Sequence, residues 1–365
     1  MPPKRRLREK HVSRGFYGLC CLTTIWLSPT GSDYPQKGRF SQTKTLVMNM
    51  SNQTSAIQAV HTRLSDAGIS VRTQISLASN TTFRIGGNAA LAAFPETAEQ
   101  ISAVLAVCRE NGVPCAVVGN GSNLLCPDEG FDGCVLFTAA MKHMEIDGTT
   151  VTVGAGATLA SVCCAARDRG LAGMTFAYGI PGTVGGAVYM NAGAYGGEIS
   201  DCVIDVTCMN AKTGEIVTLD AADCGFGYRT SRFSGNADVP GTSDIILSVR
   251  LALSEGDCDA IRLEMEGISA ARREKQPLEY PSAGSAFKRY PGRFTAQLID
   301  EAGLKGYTVG GAQVSEKHAG FIINRGGATE RDVVTLIDRI RERIHTLHGI
   351  WIEPEIRCFS DCIIP

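Results

Sequence analysis

The stretch Gly179-Ile-Pro-Gly-Thr-Val-Gly-Gly186 sets the expectations for the whole chain. Gly193, Gly196 and Gly197 follow it, so that seven glycines fall within nineteen residues. A backbone without side chains can approach a ligand closely and direct several N–H groups at one pyrophosphate. A set of turn glycines is the simpler interpretation of this cluster taken alone, but its density predicts a ligand-binding loop.

A second cluster, Gly119-Asn-Gly-Ser-Asn123, follows the apolar run 113–118, which predicts a strand. Neither cluster has the Gly-x-Gly-x-x-Gly spacing or a following Gly-Lys-Ser/Thr, so a Rossmann fold and a P-loop are disfavoured. Together the two clusters predict a site for a large phosphate-bearing cofactor. We expect this site to be lined by Gly119, Asn120, Gly121, Ser122, Asn123, Gly179, Ile180, Pro181, Gly182, Gly185, Gly186 and Asn191.

Composition narrows the class of protein. The 365 residues are 44% hydrophobic and 20% charged, which suits two or three domains with sizeable cores. A net charge of −2 argues against a broadly basic nucleic-acid binder. The 14 Cys and 6 His contain no Cys-x-x-Cys pair and no His-Glu-x-x-His, so we expect no metal site and interpret the cysteines as buried free thiols.

Residues 1–50 differ from the rest of the chain. They carry nine Lys/Arg against two Asp/Glu, a net of +7, whereas residues 51–365 carry 26 against 35, a net of −9. Basic residues at 4–14 and a short apolar run at 16–27 could form a signal peptide. The alternative that we favour is a dispensable, disordered extension or a mis-assigned start. With that alternative we expect a cytoplasmic protein, and separately we expect no membrane segment and no obligate protein partner.

Hydrophobic periodicity predicts an α+β arrangement beyond that extension. The predicted helices are 57–67, 97–111, 159–169, 261–273, 294–302 and 329–347. The predicted strands are 91–94, 113–118, 135–137, 151–153, 203–209, 216–219, 245–253 and 350–358. A polar linker at 254–257 predicts a boundary between domains 51–254 and 255–365.

Three polar stretches lie in otherwise apolar surroundings: Tyr228-Arg-Thr-Ser-Arg232, Pro281-Ser-Ala-Gly-Ser285 and Glu353-Pro-Glu-Ile-Arg357. A guanidinium, a hydroxyl and a carboxylate could bind and protonate an anionic substrate. The period of a strand would put Glu353, Glu355 and Arg357 on one face. Taken singly, Arg229 could be a surface ion pair, Ser285 a turn residue and Glu355 a strand-edge charge. No Gly-x-Ser-x-Gly occurs, so Ser285 is not predicted to be an acyl nucleophile.

With these motifs in order, the chain resembles the UDP-N-acetylenolpyruvoylglucosamine reductase family. The resemblance runs from about Thr73 to Arg357, and it is specific because eight segments follow in the family's order. The segments are Thr81-Thr-Phe-Arg-Ile-Gly-Gly-Asn88, Gly119-Asn-Gly-Ser-Asn-Leu-Leu125, Ala177-Tyr-Gly-Ile-Pro-Gly-Thr-Val-Gly-Gly-Ala187, Tyr189-Met-Asn-Ala-Gly-Ala-Tyr-Gly-Gly197, Phe226-Gly-Tyr-Arg-Thr-Ser-Arg-Phe233, Gln276-Pro-Leu-Glu-Tyr-Pro-Ser-Ala-Gly-Ser-Ala-Phe287, Gly310-Gly-Ala-Gln-Val-Ser-Glu-Lys-His-Ala-Gly-Phe321 and Glu353-Pro-Glu-Ile-Arg357.

The resemblance implies a fold and a reaction. The fold is an FAD-binding module of the vanillyl-alcohol-oxidase type in two α+β lobes, followed by an α+β substrate-binding domain. The reaction is the NADPH-dependent reduction of UDP-N-acetylglucosamine enolpyruvate to UDP-N-acetylmuramate through non-covalent FAD, in peptidoglycan precursor synthesis. Little chain separates Arg232 from Ile245, which resembles the shorter subtype without a tyrosine-bearing substrate loop.

The resemblance also implies roles for single residues. Arg229, Ser285 and Glu355 match the family's catalytic positions, with Arg229 and Glu355 holding the substrate carboxylate and Ser285 donating a proton. Lys288 and Gln313 are candidates for the nucleotide. Two other functions are compatible with the motifs taken alone: an oxygen-using oxidase on the same fold, and a nucleotide-binding protein without catalysis.

Overall fold

Helices and strands alternate through residues 50–235 and 241–364, which are the residues that the computed structural model describes, with side chains from Gln53 onward. The helices are Met50–Asp66, Ala98–Glu110, Leu159–Asp168, Val184–Met190, Cys258–Lys275, Thr295–Glu301 and Glu330–His348. The strands are Ser70–Ser76, Asn88–Phe94, Cys115–Val118, Leu124–Leu125, Phe131–Phe137, Met144–Asp147, Thr150–Gly154, Leu171–Ala172, Gly193–Ala194, Gly197–Glu198, Val203–Asn210, Ile216–Asp220, Asp244–Ala252, Ser254–Glu255, Ser282–Ser285, Thr308–Val309, Ala312–Val314, Phe321–Asn324 and Arg357–Cys358. The predicted extension lies outside the described residues except for Met50, which begins the first helix.

The first lobe contains a four-stranded sheet. Its order is Ser70–Ser76, Asn88–Phe94, Phe131–Phe137 and Cys115–Val118, with the first pair antiparallel and the other two pairs parallel. Alternate strand residues face opposite sides. One side packs on the first two helices through buried residues such as Val60. The other side faces a small cluster that contains Phe359 from the C-terminal end.

The second lobe contains a five-stranded antiparallel sheet in the order Ile216–Asp220, Val203–Asn210, Asp244–Ala252, Thr150–Gly154 and Met144–Asp147. The helices Leu159–Asp168 and Val184–Met190 share its core.

Helix Cys258–Lys275 also belongs to the core of the second lobe, because its Ile261 and Met265 are buried there. The predicted boundary at 254–257 would separate this helix from its packing partners. The position of the domain boundary therefore stays a prediction. We propose that it lies at the end of this helix, after Lys275.

The C-terminal part packs helix Glu330–His348 on a four-stranded antiparallel sheet. The predicted apolar stripe of that helix is buried: Val333, Leu336, Ile337, Ile340 and Ile344. Phe83, Ile85 and Leu125 from the first lobe join the same core. The first lobe and the C-terminal part therefore share packed surface.

The predicted strand at 350–358 is wrong for most of its length. Only Arg357–Cys358 forms a strand, parallel to Leu124–Leu125, and Pro354 makes a single bridge with Phe287. Proline has no N–H to continue a ladder of hydrogen bonds. Glu353, Glu355 and Arg357 therefore do not share the face of a strand.

Two further features bear on the sequence-based expectations. Most of the described cysteines are buried, and the buried ones are free thiols. Of the helices in residues 50–235 and 241–364, none has the length and apolar character needed to cross a bilayer.

Candidate active site

The two glycine clusters lie side by side. The Asn120 side-chain amide donates to the Pro181 carbonyl at 2.6 Å. A Cβ atom added to Gly119 would lie only 2.6 Å from Thr183 Oγ1. We call residues 119–123 and 179–186 together the glycine cradle. The prediction that two distant clusters form one surface is thus supported by their contact.

Two glycines of the cradle are required by the protein itself. Gly121 has a φ of +58°, and a Cβ there would lie 2.6 Å from the Asn80 carbonyl oxygen. Gly185 has no positive φ, but its Cβ would lie 2.8 Å from Ala155 Cβ. Both positions therefore exclude a side chain on packing or conformational grounds.

Two other glycines of the cradle are not required in this way. Added Cβ atoms would lie 3.7 Å from Ser122 Oγ at Gly182 and 3.4 Å from Thr183 Oγ1 at Gly186, and neither glycine has a positive φ. The protein leaves room at both positions, so the missing side chains keep surface open beside the cradle. Such open surface suits the close approach of a phosphate-bearing ligand.

Unsatisfied polar groups border the cradle. Thr81 Oγ1 is buried without a hydrogen-bond partner, and Thr81 lies against Gly121. The side chain of Arg272 lies against Gly179, and burial lowers the pKa of its guanidinium. Within the described residues, that guanidinium has no ion-pair or hydrogen-bond partner. A hydroxyl and a cation with free donors suit an anionic group such as a pyrophosphate, so the residues present fit FAD.

Sequence reasoning missed both Thr81 and Arg272 as cradle residues. The signal for Thr81 was its place in the first of the segments that resemble the family. Arg272 lies in the last turn of an amphipathic helix, where basic residues are common, so nothing in the sequence set it apart.

Arg229 and Glu355 meet although they are 126 residues apart in the chain. Arg229 Nε donates to Glu355 Oε1 at 2.9 Å, and the two side chains are only 20% and 16% exposed. Arg229 also donates to the carbonyls of Asn191 at 3.4 Å and Gly193 at 2.6 Å. A guanidinium has five N–H groups, so two remain for a substrate.

Burial and the nearby cations shift the pKa of Glu355 in opposite directions. Burial raises the pKa of Glu355 above the usual range, while the nearby cation of Arg229, then Lys288 and Arg289, act in the opposite direction. The three cations around one carboxylate leave a surplus of positive charge. These surroundings favour the binding of an anionic substrate.

Ser285 lies beside this pair. Glu355 N donates to the carbonyl of Ala286 at 2.8 Å, and Lys288 N donates to the carbonyl of Glu353 at 2.9 Å, so residues 285–288 run next to 353–355. Ser285 is exposed, and no described residue makes a hydrogen bond with its hydroxyl. That hydroxyl is therefore available to a ligand.

The cradle and the ion pair are tied together by one residue of the cradle. Asn123 donates from its side chain to the Glu355 carbonyl at 3.1 Å, and its own carbonyl accepts from Arg357 N at 2.9 Å. Thr82 connects the same loop to the serine strand, because its N–H donates to the Gly121 carbonyl at 3.2 Å and its hydroxyl to the Ser282 carbonyl at 2.7 Å. A cofactor in the cradle would therefore lie next to Arg229, Ser285 and Glu355.

Comparison with known proteins agrees with this geometry. Residues 89–220 match a family described as "FAD binding domain", and residues 276–359 match "UDP-N-acetylenolpyruvoylglucosamine reductase, C-terminal domain". The UDP-N-acetylenolpyruvoylglucosamine reductase of Latilactobacillus sakei subsp. sakei is 45% identical over 289 residues, which are 79% of this chain and 93% of the relative. That of Lactobacillus acidophilus is 42% identical over 294 residues, which are 80% of this chain and 96% of the relative.

The chain belongs to the UDP-N-acetylenolpyruvoylglucosamine reductase family. A crystal structure of UDP-N-acetylenolpyruvylglucosamine reductase from Thermus caldophilus superposes with a TM-score of 0.67 at 35% identity, over 80% of this chain and 99% of that one. The predicted family and the FAD-binding module of the vanillyl-alcohol-oxidase type followed by a C-terminal domain are confirmed. The chain is an FAD-binding oxidoreductase of peptidoglycan precursor synthesis that uses NADPH. The shorter subtype stays a prediction, and residues 236–240 of the segment concerned lie outside the described range.

Other residues predicted for the reductase site have partners within the protein. Lys288 Nζ pairs with Glu353 Oε2 at 3.1 Å at the edge of the site. The Gln313 amide donates to the Gly306 carbonyl at 3.2 Å and to Thr308 Oγ1 at 3.0 Å. Its side-chain nitrogen is therefore hydrogen-bonded to the neighbouring strand. Lys288 lies close enough to the ion pair for its charge to act on Glu355, and its N–H donates to the Glu353 carbonyl at 2.9 Å.

Proposed function

We propose that this reductase acts on the enolpyruvyl group of UDP-N-acetylglucosamine enolpyruvate through Arg229, Glu355 and Ser285, and forms UDP-N-acetylmuramate. The observation that carries the proposal is the meeting of Arg229 and Glu355 beside Ser285, at the border of the glycine cradle. Three polar side chains that are distant in sequence converge next to a surface that suits a phosphate-bearing cofactor.

The cradle is proposed to hold FAD non-covalently. Its backbone would face the pyrophosphate, with Thr81 and Arg272 supplying further donors. When bound, FAD supplies the hydride chemistry that the side chains of this chain lack, with NADPH as the source of the hydride. The remaining steps depend on the protein's own residues.

Arg229 is proposed to bind the substrate carboxylate with its two remaining N–H groups. Reduction of the enolpyruvyl double bond puts negative charge on the carbon next to the carboxylate, and the buried guanidinium stabilises that charge. Glu355 holds Arg229 by its Nε, which orients the two outward donors. The pair therefore recognises the substrate and stabilises the developing enolate.

Ser285 is proposed to donate the proton that completes the lactyl ether. A serine hydroxyl is a weak acid, but an enolate is a strong base, and the cations near Glu355 favour the alkoxide that remains. Ser285 is exposed and its hydroxyl has no hydrogen-bond partner within the described residues, so the hydroxyl is available to a bound substrate.

The decisive experiment measures the two half-reactions of Ser285→Ala by stopped flow. Reduction of the flavin by NADPH should stay near the parental rate, because it needs no proton from Ser285. Reoxidation by the enolpyruvyl substrate should slow by at least roughly a hundredfold, while the substrate Kd stays about the same. Ser282→Ala is the matched control on the same strand. If Ser285→Ala reoxidises at the parental rate and Ser282→Ala does not, the proton comes from Ser282.

We also propose that the enzyme works in the cytoplasm without an obligate protein partner. The free buried cysteines support this location, because thiols stay reduced in that compartment. Thiol titration of the unfolded protein, isolated under alkylating conditions, should find the cysteines reduced. A substantial disulfide content would contradict the proposed location.

A further inference from the structure

We propose that Asn191 is a positioning residue for Arg229: it joins the tight turn that carries this arginine to the helix that begins in the glycine cradle. The inference rests on the role proposed above for Arg229. It differs from the sequence-based expectation that Asn191 lines the cofactor site.

Both ends of the Asn191 carboxamide are hydrogen-bonded inside the protein. Its nitrogen donates to the Gly227 carbonyl at 3.0 Å, and its oxygen accepts from Ser200 N at 3.2 Å. The residue is 0% exposed. Its side chain is therefore directed at the protein backbone and offers no surface to a cofactor.

The backbone of Asn191 also helps to position Arg229. Asn191 ends the helix Val184–Met190 in the left-handed conformation, with φ 43° and ψ 60°. This turns its carbonyl towards Arg229, whose Nη1 donates to it at 3.4 Å. Asn is one of the few residues other than glycine that adopts this conformation readily.

The turn that carries Arg229 is held from the other side. Gly227 and Thr230 exchange two backbone hydrogen bonds of 3.0 and 3.1 Å, which leaves Arg229 with a φ of +55°. A left-handed backbone is unfavourable for arginine, so the surroundings must hold it in this conformation. The bond from Asn191 to Gly227 fixes the first residue of this turn.

Two more bonds connect the same segments. Ser231 Oγ donates to the Tyr189 carbonyl at 2.8 Å, and Arg229 Nη2 donates to the Gly193 carbonyl at 2.6 Å. Residues 189–193 thus form the surface on which residues 227–231 lie. Asn191 contacts this turn through its side chain, which bonds to Gly227, and through its carbonyl, which accepts from Arg229, so its loss should free the turn and misdirect the guanidinium.

Asn191→Gly tests this, because glycine keeps the left-handed backbone and removes the carboxamide. The variant should bind FAD stoichiometrically and be reduced by NADPH at about the parental rate. Its reoxidation by the enolpyruvyl substrate should slow by roughly ten- to a hundredfold, with a higher substrate Kd. Asn111→Gly is the matched control, because Asn111 also ends a helix and donates to a carbonyl, that of Val107, but lies in the first lobe.

Asn191→Asp is the second variant, in case the glycine variant does not fold. It keeps the size and the acceptor for Ser200 N, but places an oxygen opposite the Gly227 carbonyl. This variant should likewise show flavin reduction at a normal rate and slow reoxidation by the enolpyruvyl substrate. Loss of FAD from folded Asn191→Gly or Asn191→Asp, or equal slowing of both half-reactions, would overturn the inference in favour of a cofactor role.

A double-mutant cycle separates positioning from a general structural effect. If Asn191 acts through Arg229, then Asn191→Gly should slow reoxidation much less in an Arg229→Ala background than in the parent. Fully multiplicative effects would contradict the inference. Normal reoxidation by Arg229→Ala alone would instead refute the proposed role of Arg229, and an impaired Arg229→Ala with a normal Asn191→Gly would refute only the positioning role.

Discussion

The glycine cradle and the Arg229–Glu355 pair are built in opposite ways. At Gly121 and Gly185 of the cradle, the protein tolerates no side chain, so the shape is fixed by backbone packing. The ion pair depends on two long side chains, one of which departs from a left-handed backbone that arginine rarely adopts. The cradle should therefore fail by losing its cofactor, whereas the pair should fail by losing only its substrate chemistry.

Valine substitutions in the cradle should have the largest effect. Gly182→Val and Gly186→Val should lose FAD, and with it all activity, while the fold persists, because both positions have room in the protein. Gly185→Val should lose stability as well, since its Cβ would meet Ala155. None of these three glycines has a positive φ, so the expected effects come from space and not from backbone conformation. Flavin absorbance and far-UV circular dichroism distinguish the cases, and stoichiometric FAD in Gly182→Val and Gly186→Val would show that the cofactor lies elsewhere.

The difference between the two regions also explains what the sequence could predict. The cradle was visible because glycines and small polar residues cluster within a few residues of each other. Arg229, Ser285 and Glu355 were visible only as isolated polar residues, and the family resemblance brought them together. The contact of Arg229 with Glu355 joins residues 126 positions apart, and that of Asn123 with Glu355 joins residues 232 positions apart; no local pattern encodes either contact.

The successes and errors in the predicted helices and strands have similar causes. Long amphipathic helices such as Glu330–His348 were predicted well because their stripes are buried against one core. Strand Ser282–Ser285 was missed because Ser-Ala-Gly-Ser has little strand preference and is held by pairing with Phe321–Asn324. The segment before Arg357 was predicted as a strand from its apolar residues, although Pro354 interrupts the pairing.

Arg229→Lys should have the next largest effect. A lysine keeps the charge but cannot hold Glu355, the Gly193 carbonyl and a substrate carboxylate at once. Reoxidation by the enolpyruvyl substrate should slow by roughly a hundredfold and the substrate should bind more weakly, with FAD content unchanged. This defect differs in kind from that of Ser285→Ala, which should leave substrate affinity about normal. Equal substrate Kd values in Arg229→Lys and the parent would argue that the carboxylate binds another cation.

Glu355→Gln should change the pH dependence more than the maximal rate. Burial raises the pKa of Glu355, so this carboxylate gains a proton at a higher pH than an exposed glutamate does, and the ion pair with Arg229 is then lost. The substrate half-reaction should therefore decline on the acid side with an apparent pKa above the usual range of glutamate, and Glu355→Gln should lack that decline. Glu353→Gln is the control, because its carboxylate is 60% exposed.

Glu355 should also make the stability of the fold depend on pH, in the direction opposite to that of activity: stability should fall as pH rises. A folded-state pKa above the unfolded value means that stability is fully present below the unfolded pKa and is lost as pH rises through the folded pKa. Glu355→Gln should therefore be relatively more stable at about pH 8 than at about pH 5, each compared with the parent in urea unfolding. A larger loss at the higher pH would mean that the attraction of Arg229 outweighs the effect of burial.

The smallest effect should come from removing residues 1–49. Both the cradle and the ion pair are formed by residues after Asn80, and the first lobe uses residues from helix Met50–Asp66 onward. A chain that begins at Met50 should fold, bind FAD and turn over normally. The matched control begins at Ser70 and removes the helix, including Val60 and Leu64, which are 0% exposed. Each of these buried side chains contributes about 1.5–3 kcal/mol, so this shorter chain should unfold at much lower urea concentration. If the Met50 chain loses FAD or stability as the Ser70 chain does, the first 49 residues are part of the folded enzyme, and the cradle depends on more than the backbone that surrounds it.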